Sequence, residues 1–134
     1  MAKTKTRKKR ILMVDDEQDI NITIKTVLED TGSFLVDTFN GAESALSLFE
    51  PDLYDLALLD IRMPGMSGFQ LCRRLREIDK ELKICFLTAT ELLYFRDTDS
   101  DVIDDLGTHC FVAKPVDTID LIDRLKVILS QNDT

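Results

Sequence analysis

Four short apolar runs punctuate the chain: Ile11–Val14, Leu56–Leu59, Ile84–Leu87 and Cys110–Ala113. Each has the length of a strand, and an unbroken apolar run suits a strand covered on both faces, as in a central parallel sheet. The stretch Phe34–Phe39 alternates instead, with Phe34, Val36 and Thr38 set against Leu35, Asp37 and Phe39. That alternation predicts a half-exposed edge strand.

Between the runs the apolar spacing is helical. Ile20, Ile24, Val27 and Leu28 form one stripe, ended by Thr31-Gly32, and Ala42, Ala45, Leu46 and Phe49 form a second, closed by Pro51. Leu71, Cys72, Leu75 and Ile78 form a third, opened by Ser67-x-x-Gln70 with the spacing of a capping box. Ile119, Ile122, Leu125 and Leu129 form the last, with Asp117 placed as its N-cap. The stretch Glu91–Leu106 is weaker, because five aspartates crowd the face of Leu92, Phe95, Val102, Ile103 and Leu106. A frayed or loop-preceded helix is expected there. Strand and helix alternate five times, which predicts an α/β fold of three layers, a doubly wound (βα)5 parallel sheet with helices on both faces.

Composition narrows the function classes. At 134 residues with 44% apolar side chains, the chain suits one domain that builds its core without staples. No apolar run approaches the ~20 residues of a membrane span, and the short Ile11–Val14 run meets acids too soon for a signal peptide. A cytoplasmic location is therefore expected. Cys72, Cys85 and Cys110 are odd in number and lack metal or redox spacing, so they are expected to be reduced, mostly buried thiols. The net charge of −8 is unevenly placed: residues 1–10 hold six of the 17 Lys/Arg and none of the 25 acids. Residues 11–134 therefore carry 11 basic against 25 acidic side chains, a net −14 that argues against direct nucleic-acid binding. The organisation expected is a disordered basic leader at 1–9, one domain over 10–130 and a polar tail at 131–134.

Candidate chemistry gathers at one edge. In an open parallel sheet, ligands bind beyond the carboxyl ends of the strands. Asp15, Asp16 and Glu17 follow the first strand, Asp60 follows the third, Thr88 the fourth and Lys114-Pro115 the fifth. A nucleotide phosphate site wants glycines and open N–H groups after the first strand, and acids there repel it. Clustered carboxylates need a cation to stay ionised together, and Mg²⁺ suits oxygen ligands. By repulsion alone, removing either Asp15 or Asp16 should stabilise the metal-free chain. A carboxylate nucleophile, a hydroxyl donor and a lysine beside a metal are parts for phosphoryl transfer to an aspartate.

These residues resemble the receiver domain of two-component response regulators. The matching motifs are Val14-Asp15-Asp16-Glu17, Leu58-Leu59-Asp60-Ile61-Arg62-Met63-Pro64-Gly65-Met66-Ser67-Gly68, Leu87-Thr88-Ala89 and Lys114-Pro115. Asn40-Gly41-Ala42 and Gly107 also fit, and the resemblance spans about residues 10–130. It implies the flavodoxin-like parallel strand order 2-1-3-4-5.

The resemblance also implies roles. Asp60 would accept a phosphoryl group from a sensor histidine kinase, a phosphotransfer protein or a small phosphodonor. Mg²⁺ would be held by Asp16, Asp60 and the backbone carbonyl of Arg62, with Asp15 acting mainly through a water. Thr88 would hydrogen-bond the phosphoryl group and Lys114 would pair with its charge. Thr88 and Phe111 would switch the face made by the fourth helix, fifth strand and fifth helix for a downstream effector protein or a second copy of the chain. The interval from Thr88 to Lys114 is about four residues longer than is usual in such domains. Two other readings stay open: a receiver cut from a longer regulator, and a Mg²⁺-dependent phosphatase or phosphotransferase with an aspartate nucleophile. Against the enzyme, Arg62 stands where such enzymes place a second carboxylate.

Overall fold

The computed structural model describes residues 7–89 and 110–130. Five strands, β1 (Lys9–Val14), β2 (Phe34–Phe39), β3 (Leu56–Asp60), β4 (Lys83–Thr88) and β5 (Cys110–Ala113), pair in parallel in the order β2-β1-β3-β4-β5. The helices are α1 (Gln18–Asp30), α2 (Ala42–Leu48), α3 (Gly68–Ile78) and a C-terminal helix, Thr118–Ser130. The helix expected within 91–106 lies outside the described residues.

Alternation along the strands sorts the core into two layers. Leu12, Val14, Ala57, Leu59, Ile84 and Phe86 face one side and meet Ala42 and Ala45 of α2 and Leu71, Cys72 and Leu75 of α3. Ile11, Met13, Leu56, Leu58, Cys85 and Leu87 face the other and meet Ile24 and Leu28 of α1 and Leu121, Leu125, Ile128 and Leu129 of the C-terminal helix. The central strands are apolar on both faces because each face has a helix layer to cover it, at ~1.5–3 kcal/mol per buried large aliphatic side chain. Strand β2 lies at the edge, and its Leu35 is exposed as the alternating pattern predicted.

Local signals place the helix ends. Ser67 and Gln70 form the reciprocal capping box at the start of α3. Asp117 Oδ1 accepts the amide of Asp120 at the start of the C-terminal helix. Lys83, buried at the start of β4, donates to the carbonyl of Ile128 near that helix's other end, where a cation is favoured.

Two expectations need correction. β1 begins at Lys9, ahead of the apolar run, because the Lys9 amide bonds to Ser33 and the Arg10 amide to Asp55. The basic segment thus enters the sheet before Ile11, and Arg7 pairs with Asp55 at 3.1 Å. Cys85 is disulfide-bonded rather than a reduced thiol. Its register partner across the β4–β5 ladder is Cys110. The 24 residues between these two positions in sequence conceal the pairing. Cys72 is free, and burial pushes its thiol up to about 11.

Candidate functional site

The acidic residues converge because β1 and β3 are neighbours in register. Val14 pairs with Leu59, so the residues leaving both strands emerge side by side. Asp15 is fully buried, Asp60 is 5% exposed, and a carboxylate oxygen from each of Asp15, Asp16 and Asp60 lies within 4.8 Å of the others. Asp16 is the exposed member.

Each carboxylate has a defined setting. Asp15 Oδ1 accepts the Glu17 amide at 2.8 Å, which fixes the turn into α1. Its Oδ2 lies 2.9 Å from Lys114 Nζ as an ion pair, yet no well-directed donor reaches this buried oxygen. Lys114 Nζ also lies 3.3 Å from Asp60 Oδ1 and 3.3 Å from Glu17 Oε1. Burial holds the Asp15 carboxyl above its ordinary range, although the Glu17 amide and Lys114 pull it down. Burial, reinforced by the Asp15 charge, pushes Asp60 up to about 7, with Lys114 opposing. Burial alone would lower Lys114, but Asp15 and Asp60 outweigh it and raise the ammonium above its ordinary value. One lysine therefore balances a site with room for more positive charge.

The supporting backbone is equally specific. A Cβ on Gly68 would overlap the backbone carbonyl of Asp60, and the Gly68 amide donates to Ile61 at 2.9 Å. Gly65, at φ +83°, makes a left-handed turn in the loop between β3 and α3. Lys114 is held by its amide bonding to the Thr88 carbonyl at 2.8 Å, and the Lys114-Pro115 peptide is cis.

The remaining predicted residues lie around this cluster. Thr88 ends β4, fully buried, with its hydroxyl donating to the Ala89 carbonyl at 3.0 Å. Phe111 is half-buried on β5 and stacks on Phe86 with ring centroids 5.6 Å apart. Its carbonyl accepts Arg124 of the C-terminal helix at 3.0 Å. Arg62 is exposed just beyond β3.

Two residues escape pattern reading. Asn21 sits on the buried stripe of α1 and donates to the carbonyls of Asp15 and Phe39, tying α1 to the exits of β1 and β2. A polar residue beside Ile20 and Ile24 was the available signal. In sequence Glu17 is one more acid in a row, whereas its carboxylate faces Lys114.

The family model for the response regulator receiver domain matches residues 11–126. The chain belongs to the response regulator receiver family. A receiver domain of the chemotaxis-regulator type from Methanospirillum hungatei superposes with a TM-score of 0.83 at 29% identity, covering 94% of this chain and 97% of that one. The non-phosphorylated HemR receiver domain of Leptospira biflexa superposes with a TM-score of 0.80 at 30% identity, covering 92% and 95%. In sequence, the transcriptional regulatory protein YkoG of Bacillus subtilis is 35% identical over 95% of this chain and 54% of its own length. A 14.6 kDa protein of Leptolyngbya boryana is 37% identical over 84% of this chain and 83% of its own. This receiver spans about half the length of YkoG and of the transcriptional regulator DltR of Streptococcus agalactiae. Receivers of this family serve two-component signalling. Among the described residues no helix is long and apolar enough to cross a membrane.

Proposed function

We propose that this receiver is a phosphorylation-operated signalling module in which Asp60 accepts the phosphoryl group. The carrying observation is the convergence of Asp15, Asp16 and Asp60 with Lys114 at the carboxyl edge of the sheet. An Asp60 carboxylate oxygen bonds to phosphorus while the bond from phosphorus to the donor's imidazole nitrogen, or to the acyl oxygen of a small donor, breaks. Lys114 stands beside Asp60 to pair with the added charge, and Thr88 supplies a hydroxyl from the end of β4.

The donor set fits Mg²⁺: three hard carboxylates cluster, and the buried Asp15 Oδ2 lacks a directed partner. Asp16, Asp60 and the Arg62 carbonyl would hold the ion, with Asp15 acting through water. When bound, it supplies positive charge that keeps these carboxylates ionised and offsets charge on the phosphoryl oxygens.

Partners follow from the same edge. An apolar cleft of about 220 Å³ opens beside Lys114, lined by Ile20 and Ile24 of α1 with Pro115 and Val116. Such a cleft suits the helix of a histidine kinase or phosphotransfer protein carrying the phosphohistidine to Asp60. The output runs through Thr88 and Phe111 to the face of β5 and the C-terminal helix, for an effector protein or a second copy. In a longer regulator that effector includes an attached DNA-binding domain, so the argument against nucleic-acid binding concerns only this acidic chain. The receiver takes in the basic residues from Lys9, where β1 begins, and acts in the cytoplasm.

Intact mass after incubation with acetyl phosphate tests the reading. The expected result is one added phosphoryl group, dependent on Mg²⁺ and absent in Asp60→Asn. Modification unaffected by EDTA, or full modification of Asp60→Asn, contradicts it.

A further inference from the structure

Three consecutive acids follow β1, and the structure divides them between two tasks. Asp15 and Asp16 contribute oxygens to the metal-sized cluster with Asp60, whereas Glu17 stands outside it. The Glu17 carboxylate instead lies 3.3 Å from Lys114 Nζ. The ammonium has three hydrogens, and three carboxylates surround it: Asp15 at 2.9 Å, Glu17 at 3.3 Å and Asp60 at 3.3 Å.

We propose that Glu17 is a positioning residue for Lys114, holding the ammonium at the rim of the acidic cluster until an incoming phosphoryl group competes for it. This rests on Asp60 being the phosphoacceptor. Glu17 is well placed because its own backbone is anchored: its amide donates to Asp15 Oδ1, and it is the N-cap residue of α1. Lys114 is anchored through its amide to Thr88. The two side chains thus meet between fixed backbones, which lowers the entropic cost that ordinarily cancels a surface ion pair.

Exposure sets the direction of the tether. The Lys114 side chain is 16% exposed and that of Glu17 63%, while Asp15 and Asp60 are buried. Glu17 is therefore the solvent-side contact, drawing Nζ outward against two buried carboxylates. A phosphoryl group on Asp60 brings two negative charges into the less screened interior, where attraction to Nζ is stronger than to the solvated Glu17. Lys114 then leaves Glu17 for the phosphoryl oxygens. Breaking the Glu17 contact is a cost on the modified state, so removing Glu17 should favour modification.

Two measurements decide it on the intact chain. First, the ε-methylene resonance of Lys114, observed in metal-free ¹³C-lysine-labelled protein, should shift in Glu17→Gln and not in Asp30→Asn, an exposed acid at the far end of α1. An unmoved resonance overturns the tether, and this holds whether or not Asp60 accepts phosphate. Second, the rate of modification by acetyl phosphate with Mg²⁺ should rise about twofold to fivefold in Glu17→Gln, the span an exposed ion pair covers. Glu17→Asp, whose shorter side chain reaches less far, should fall between. In a Lys114→Met background the Glu17→Gln gain should disappear. An unchanged or slower rate in Glu17→Gln, or the same gain without Lys114, overturns the positioning role. Wild-type protein left unmodified at Asp60 would refute the phosphoacceptor reading itself, with the tether still judged by the lysine resonance.

Discussion

Gly68 at the start of α3 packs against the backbone carbonyl of Asp60 with no space for a methyl group between them. The capping box of Ser67 and Gln70 fixes the start of α3, so the Gly68 contact sets how closely the helix approaches β3. The consequence is structural and chemical together: the helix start cannot come closer to β3 without displacing the Asp60 backbone.

Gly68→Ala should therefore destabilise the fold by about 1–3 kcal/mol, the usual cost of overpacking, through displacement of backbone rather than a flexible side chain. It should also slow modification at Asp60 more than Gly65→Ala does, because a Cβ on Gly65 meets nothing within 4 Å. Urea titration and acetyl phosphate kinetics on both variants check this. Equal kinetic losses would show that loop strain, not the Asp60 contact, matters.

Stability of the metal-free protein should fall as pH rises from about 4 towards and through 7. Asp60 is pushed up from 3.8 to about 7 in the folded chain, so the folded state holds a proton that the unfolded state releases. Its favourable contribution is full below the unfolded value and lost through the folded one. With allowance for the neighbouring Lys114, the change should be about 2 kcal/mol. Asp60→Asn should remove most of this slope, and Mg²⁺ should flatten it. Thermal melts from pH 5 to pH 8 in EDTA test the sign.

Asp15 and Asp16 should differ, contrary to an argument from repulsion alone. At pH 8 without metal, Asp16→Ala removes an exposed charge from the cluster and should raise the melting temperature. Asp15→Ala relieves repulsion too, but it deprives the Glu17 amide and Lys114 of their partner in a buried place. It should lower stability by about 1–3 kcal/mol. Both variants should bind Mg²⁺ more weakly, Asp16→Ala the more so. Stabilisation by both substitutions would show that repulsion dominates.

Thr88→Ala should still accept phosphate at Asp60 but lose the coupled change at Phe111. The Thr88 hydroxyl is satisfied by the Ala89 carbonyl in this state, so it must exchange that partner to reach a phosphoryl oxygen. Phe111 is already stacked on Phe86 and half-buried, so its rearrangement should be small. Ring resonances of Phe111 that respond to beryllofluoride equally in wild type and Thr88→Ala would reject the mechanism.

Residue order alone was enough for the alternation of strands and helices, because covered strands need unbroken apolar runs and amphipathic helices need a 3.6-residue stripe. The Ser67–Gln70 box, the Asp117 cap and the edge character of Phe34–Phe39 are short-range or periodic signals, and each is read from a few neighbouring residues. The residues of the candidate site were equally legible as a group, since Asp15, Asp16, Asp60, Thr88 and Lys114 all follow apolar runs. What tertiary structure alone decided depends on distance between residues far apart in the chain. Pairing of β1 with β3 brings Asp15 against Asp60, and β4 with β5 sets Cys85 opposite Cys110. The entry of Lys9 into the sheet is set by Ser33 and Asp55, partners the basic run does not reveal. Glu17 looked interchangeable with Asp15 and Asp16 in sequence. Only the turn into α1, held by the Asp15 carboxylate, aims it away from the acidic cluster and at Lys114.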